Sequence, residues 1–193
     1  MYLKQKIEPG FSWLSAARYL LVSLGLLNSL PGAFAADTAV SEYSVKAAII
    51  YKIAKFVAWP ENSFSSSNDP LHVCFSDADP MGPALDSLAG KIVWDHPIAI
   101  KRLDEVSTVE TDCKILFLSQ TANTSQMKLV SNVANAPVLT IGDNDKFVDM
   151  GGIVSLEIER NRVQFSINIA ASERAGLNIS AQLLQLANIM NGG

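Results

Sequence analysis

Three short runs constrain this chain most. Leu71-His72-Val73-Cys74-Phe75, Lys114-Ile115-Leu116-Phe117-Leu118 and Val138-Leu139-Thr140-Ile141 are almost continuously apolar. They lack the alternation of a strand with one wet face, so each reads as a strand buried on both sides. Segments with helical spacing lie between them. Buried strands alternating with helices imply a largely parallel sheet covered by helices on both faces. A fourth strand is expected over residues 97–102. After Gly142 the pattern changes. Residues 153–158 and 163–169 alternate around a tight turn at Asn161, as expected of an antiparallel hairpin toward one edge. The expected fold is a single α/β domain: a largely parallel mixed sheet flanked by helices, a C-terminal hairpin and a final helix.

The expected helices follow from period and punctuation. Over 41–58 the stripe is Val45, Ala48, Ile49, Ile53, Phe56 and Val57, with Lys46, Lys52 and Lys55 mostly off it. Ser41 is placed to cap its start, and Trp59-Pro60 to end it. A polar, Ser-rich loop covers 61–70. Asp79-Pro80 opens a helix through Leu88, and 124–134 reads as another. A short helical piece runs to Met150. The final helix is expected over 178–190, with Ile179, Leu183, Leu186 and Met190 on one stripe.

The N-terminus has a different logic. Lys4, Lys6 and Arg18 precede the apolar run Tyr19–Leu27; Pro31-Gly32 breaks it, and Ala33-Phe34-Ala35 follows. Basic region, apolar run and A-x-A triplet form a secretory signal cleaved after about Ala35, leaving residues 36–193 as the domain. A membrane anchor is the competing reading. The run is shorter than the roughly 20 residues a bilayer requires. The expected location is an exported, periplasmic compartment.

There, the lone pair Cys74 and Cys113 reads first as a disulfide between neighbouring strands, worth roughly 3–4 kcal/mol by loop entropy. Two buried free thiols are the other reading. Two cysteines and the distant His72 and His96 give no zinc spacing, so no metal is expected. Formal net charge is −4, and without a basic stripe nucleic acid is not an expected partner. No phosphate loop, dinucleotide fingerprint or nucleophile elbow is present, and no cofactor or enzymatic activity is expected. Asp143-Asn144-Asp145 reads as a turn, and Asp79 as a helix cap. Lys55, Phe56 and Trp59 mix cation and aromatics, the composition of a partner-facing patch; Phe56 as core is the plainer alternative.

Several stretches together resemble the YfiR-like family of bacterial periplasmic proteins. They are Lys46–Pro60 with its AKFVAWP end, Cys74 followed by Asp79-Pro80-Met81-Gly82 and Leu85–Lys91, and Cys113–Ser119. Val138–Asp143 through Phe147 and Gly151-Gly152 come next, then Asn161–Asn168 and Ala175–Leu184. The likeness covers about residues 43–190. It implies a repressor that binds the periplasmic sensory part of an inner-membrane diguanylate cyclase, YfiN-like, lowering cyclic di-GMP and biofilm formation. It also implies an outer-membrane lipoprotein partner, YfiB-like, and a homodimer. Cys74 and Cys113 match one disulfide pair of the family; its second pair is absent. A small-ligand sensor or carrier, with a metabolite in a crevice at the strand ends, is the alternative.

Overall fold

The first described helix, α1, spans Phe34–Ala54. In this computed structural model the described residues are 34–66, 68–103, 112–119, 124–159 and 162–190. The basic start, the apolar run and the turn at Asn161 lie outside them. By contacts the chain divides into two units, Met1–Thr38 and Ala39–Gly193, and every described strand belongs to the second.

The buried face of α1 is Lys46, Ala47, Ile50, Ile53 and Ala54, at helical spacing. This corrects the expected stripe: Val45 and Ala48 face solvent, and Lys46 faces in. The helix also begins before Ser41 and ends at Ala54, because Val57–Ala58 leaves it to pair as β1. A 3-10 turn, Glu61–Ser63, and the expected polar loop lead to β2, Leu71–Ser76. The helix expected over 79–88 is the shorter α2, Gly82–Asp86. Asp79 accepts the Met81 N–H at 2.9 Å just before it. The hairpin β3 (Ile92–Val93) and β4 (His96–Leu103) comes after it.

Next come β5 (Cys113–Leu118), α3 (Thr124–Val133) and β6 (Leu139–Gly142). Turns replace the short helical piece before Met150. Phe147 there sits over Gly142 and Gly152, where any added Cβ would overlap its ring. The C-terminal hairpin is β7 (Val154–Glu159) and β8 (Arg162–Asn168). Asn168 caps α4 (Ile169–Arg174) by accepting the Ala171 N–H. The expected final helix is present but much shorter than 178–190. Residues 178–190 divide into β9 (Asn178–Ile179), α5 (Ala181–Leu184) and β10 (Asn188–Met190). Sheet edges offered by β1 and β8 capture both ends, and Leu186 and Met190 are exposed. Tertiary pairing overrides the local period.

Among the described residues, eight strands form one sheet in the order β10-β8-β7-β6-β5-β2-β4-β3. Pairs are parallel except the hairpins β7–β8 and β3–β4. The largely parallel α/β architecture with a C-terminal hairpin is therefore present. β1 and β9 form a separate antiparallel pair.

The register of β2 and β5 contains one irregularity. His72 pairs with Cys113 but Val73 pairs with Ile115, so Lys114 is an extra residue. One extra residue exchanges the two faces of a strand. Ile115 and Phe117 thus join Val73 and Phe75 in the core that also holds Ile50 and Ile53. Cys113, Leu116 and Leu118 join Cys74 on the other face, with Leu129, Val130 and Val133 of α3. There Cys74 and Cys113 form a disulfide across adjacent strands, with Cα atoms 5.9 Å apart, inside the range such a bridge needs.

Candidate interaction surface

The end of α1 and the β3–β4 hairpin build one mixed aromatic and cationic surface. Lys55 and Phe56 lie in the turn that closes α1, and both are exposed. Phe56 is 37 % exposed, so its place is outside the core. The Lys55 ammonium lies 5.4 Å from the Tyr51 ring centroid, and Lys91 approaches the same ring at 5.7 Å. Such contacts contribute about 0.5–1 kcal/mol when exposed. The Tyr51 hydroxyl donates to the Ile92 carbonyl, tying helix to hairpin.

Half-buried, Trp59 lines a cleft that Lys55 and Phe56 do not line. It shares this cleft of about 430 Å³ with Pro60, Phe64, Val93, Trp94 and His96. Its indole N–H is buried, and no acceptor among the described residues reaches it. The three sequence candidates are therefore neighbours with two different roles: Lys55 and Phe56 on the open surface, Trp59 in the cleft wall.

Trp94 does not stand out in the sequence. It occupies the hairpin tip with Asp95, and both have positive φ, 49° and 70°. Glycine or asparagine is the usual choice for such a two-residue turn. Trp94 is 59 % exposed, and its indole donates to the Val57 carbonyl at 2.8 Å. That bond holds the hairpin against β1. The one local signal is Trp-Asp between two short apolar pieces, a weak turn pattern.

At the opposite, carboxyl ends of the central strands lies a charged cluster. β2 stands between β4 and β5, which makes this the crevice where the chain reverses direction across the sheet. The buried Lys46 ammonium donates to Asp143 and to Glu42, each at 2.6 Å. Burial pulls its pKa down, but these two carboxylates outweigh it, and the net direction is upward. Burial raises Asp79, against hydrogen bonds from Met81 and Ser119. Asp145, Glu157 and Glu159 surround the adjoining cleft, and burial with those neighbours raises Glu157. Among the described residues, no group of three or more His, Cys, Asp or Glu side chains is arranged to hold a metal.

The histidines sit elsewhere. His96 stacks on Phe64 with ring centroids 3.7 Å apart and meets the Asp69 carbonyl through Nδ1. His72 lies in β2, its Nδ1 3.6 Å from Asp112. No helix among the described residues is long and apolar enough to cross a membrane.

A family model described as YfiR/HmsC-like matches residues 43–188. A solved structure of a conserved domain protein from Vibrio cholerae O1 biovar eltor str. N16961 is similar in fold, with a TM-score of 0.51 and 12 % identity. The likeness covers 76 % of this chain, and the chain spans 59 % of the length of that one.

Proposed function

The chain belongs to the YfiR/HmsC-like family, and from that premise we propose that it is a periplasmic binding protein that represses an inner-membrane diguanylate cyclase. Residues 1–35 act as the export signal, and 36–193 form the working domain. The family match over nearly all of that domain is the observation that carries this reading. The partner is the periplasmic sensory part of a YfiN-like cyclase. A YfiB-like lipoprotein sequesters the repressor, which acts as a homodimer. No catalytic step is part of this reading.

Repression needs only differential affinity. The protein holds the cyclase inactive by binding its inactive conformation more tightly. A difference of about 3 kcal/mol changes the active-to-inactive ratio roughly 150-fold. Lys55 and Phe56 supply the contact, with Ile92 and Trp94 beside them as exposed apolar anchors. A second reading, a small-ligand sensor or carrier, has the aromatic cleft at Trp59 in its favour.

The test is cellular cyclic di-GMP. Deleting the gene should raise it, and so should Lys55→Glu/Phe56→Ser. Both residues are exposed, so that variant should still fold, with a melting temperature lowered by no more than about 5 °C. A deletion that leaves cyclic di-GMP unchanged defeats the repressor reading. Saturable binding of a metabolite by wild type, lost in Trp59→Ala, would then favour the sensor.

A further inference from the structure

At the amino ends of the central strands lies a lysine with a buried stem, and no carboxylate among the described residues pairs with it. Lys114, the extra residue of the β5 bulge, is 8 % exposed. Bulges re-aim side chains in this way. Its stem is buried, and its ammonium stands 5.5 Å from the Phe64 ring centroid. The nearby acids are engaged otherwise. Asp112 meets Lys101 through both oxygens at 3.2 Å, and Asp69 accepts from the backbone of Ser65 and Ser66 and from the Ser66 hydroxyl.

Lys114 lines a pocket of about 380 Å³ with Ser63, Phe64, Pro70, His72 and Pro137, and the engaged carboxylates Asp69 and Asp112 line it too. The Ser63 hydroxyl is a second unanswered group: its oxygen is buried, with no hydrogen-bond partner among the described residues. A buried hydroxyl without a partner is costly, and a cation at the same pocket attracts an anion. One ligand group would answer both. We propose that this pocket binds a small oxyanion, a carboxylate or a phosphate, with Lys114 as its counter-ion and the Ser63 hydroxyl as its donor. Phe64 and the two prolines supply an apolar wall for the body of the molecule. The pocket shares Phe64 with the Trp59 cleft but is not lined by Lys55, Phe56 or Trp94, and the proposal does not depend on the repressor reading.

Benzoate, phenyl phosphate and the neutral isostere benzamide are the probes, titrated into the full chain at constant ionic strength with chloride. Benzoate or phenyl phosphate should raise the melting temperature saturably, by about 3 °C at ten times its dissociation constant. Whichever binds more tightly names the anionic group. Benzamide should bind at least tenfold more weakly. Amide signals of Ser63, Phe64 and Lys114 should move together. Lys114→Met should fold, because it keeps the buried stem, and should lose the anion effect; Lys114→Gln is the second variant. Equal effects of benzoate and benzamide, no effect beyond chloride, or anion binding retained in both variants would overturn the proposal and leave Lys114 a lysine solvated at its tip.

Discussion

Asp79 is a carboxylate in surroundings that disfavour its charge. Burial raises its pKa above the ordinary 3.8, although Met81 and Ser119 donate to it. Between 3.8 and the folded value the native state holds the extra proton. Stability therefore rises as pH falls through the folded value, and the cost of the charge is present above it. Asp79→Asn keeps an acceptor for the Met81 N–H and removes that cost. The variant should be the more stable at pH 7, and its advantage should shrink toward pH 4. Urea unfolding at the two pH values checks this; an advantage that grows on acidification would show that hydrogen bonding to the carboxylate, and not burial, dominates.

At the scale of elements, α1 docks partly through one buried ion pair. Lys46 is 2 % exposed and bridges Glu42 within the helix to Asp143 after β6. Removing one partner strands the other charge. Lys46→Met should cost about 3 kcal/mol, a melting shift on the order of 6–12 °C. Lys46→Met/Asp143→Leu should recover most of that loss, because a well-packed apolar pair can replace a buried ion pair. Calorimetry of both variants decides it. This lysine also shows what the sequence conceals. A cation in a helical period reads as solvent-facing, so the expected stripe is rotated, with Val45 inside and Lys46 outside. Only the long-range partner Asp143 reveals the true face. The apolar strands β2, β5 and β6 are legible because burial on both sides leaves a continuous local signature. The end of the chain is not. Whether 178–190 is helix or strand depends on the free edges of β1 and β8, which no local pattern encodes. The surface is half legible: Lys55 and Phe56 stand out in the sequence, whereas Trp94 joins them only through the hairpin.

For the molecule as a whole, the disulfide fastens β2 to β5 at the middle of the sheet. It closes a span of 39 residues, worth about 3–4 kcal/mol by loop entropy. Cys74→Ala/Cys113→Ala should therefore lower the melting temperature by about 10 °C while leaving the fold recognisable by circular dichroism. A change below about 2 °C would mean that the two strands are held by their apolar faces alone. Both cysteines are fully buried, so a reductant should reach the bridge only through opening of the sheet.

The strand order also sets a timetable. Only β3–β4 and β7–β8 join neighbours in the sheet through short hairpins; other pairs wait for a crossover, and such non-local pairing is slow. As the chain is delivered from its N-terminus, Cys74 arrives well before its partner strand exists. With two cysteines in all, one intramolecular pairing is possible, so no shuffling step is needed. The hazard is of another kind: while β5 is awaited, a thiol oxidant that takes up two electrons can join the lone thiols of two chains. The slower β2 and β5 meet, the larger the fraction lost to covalent dimers.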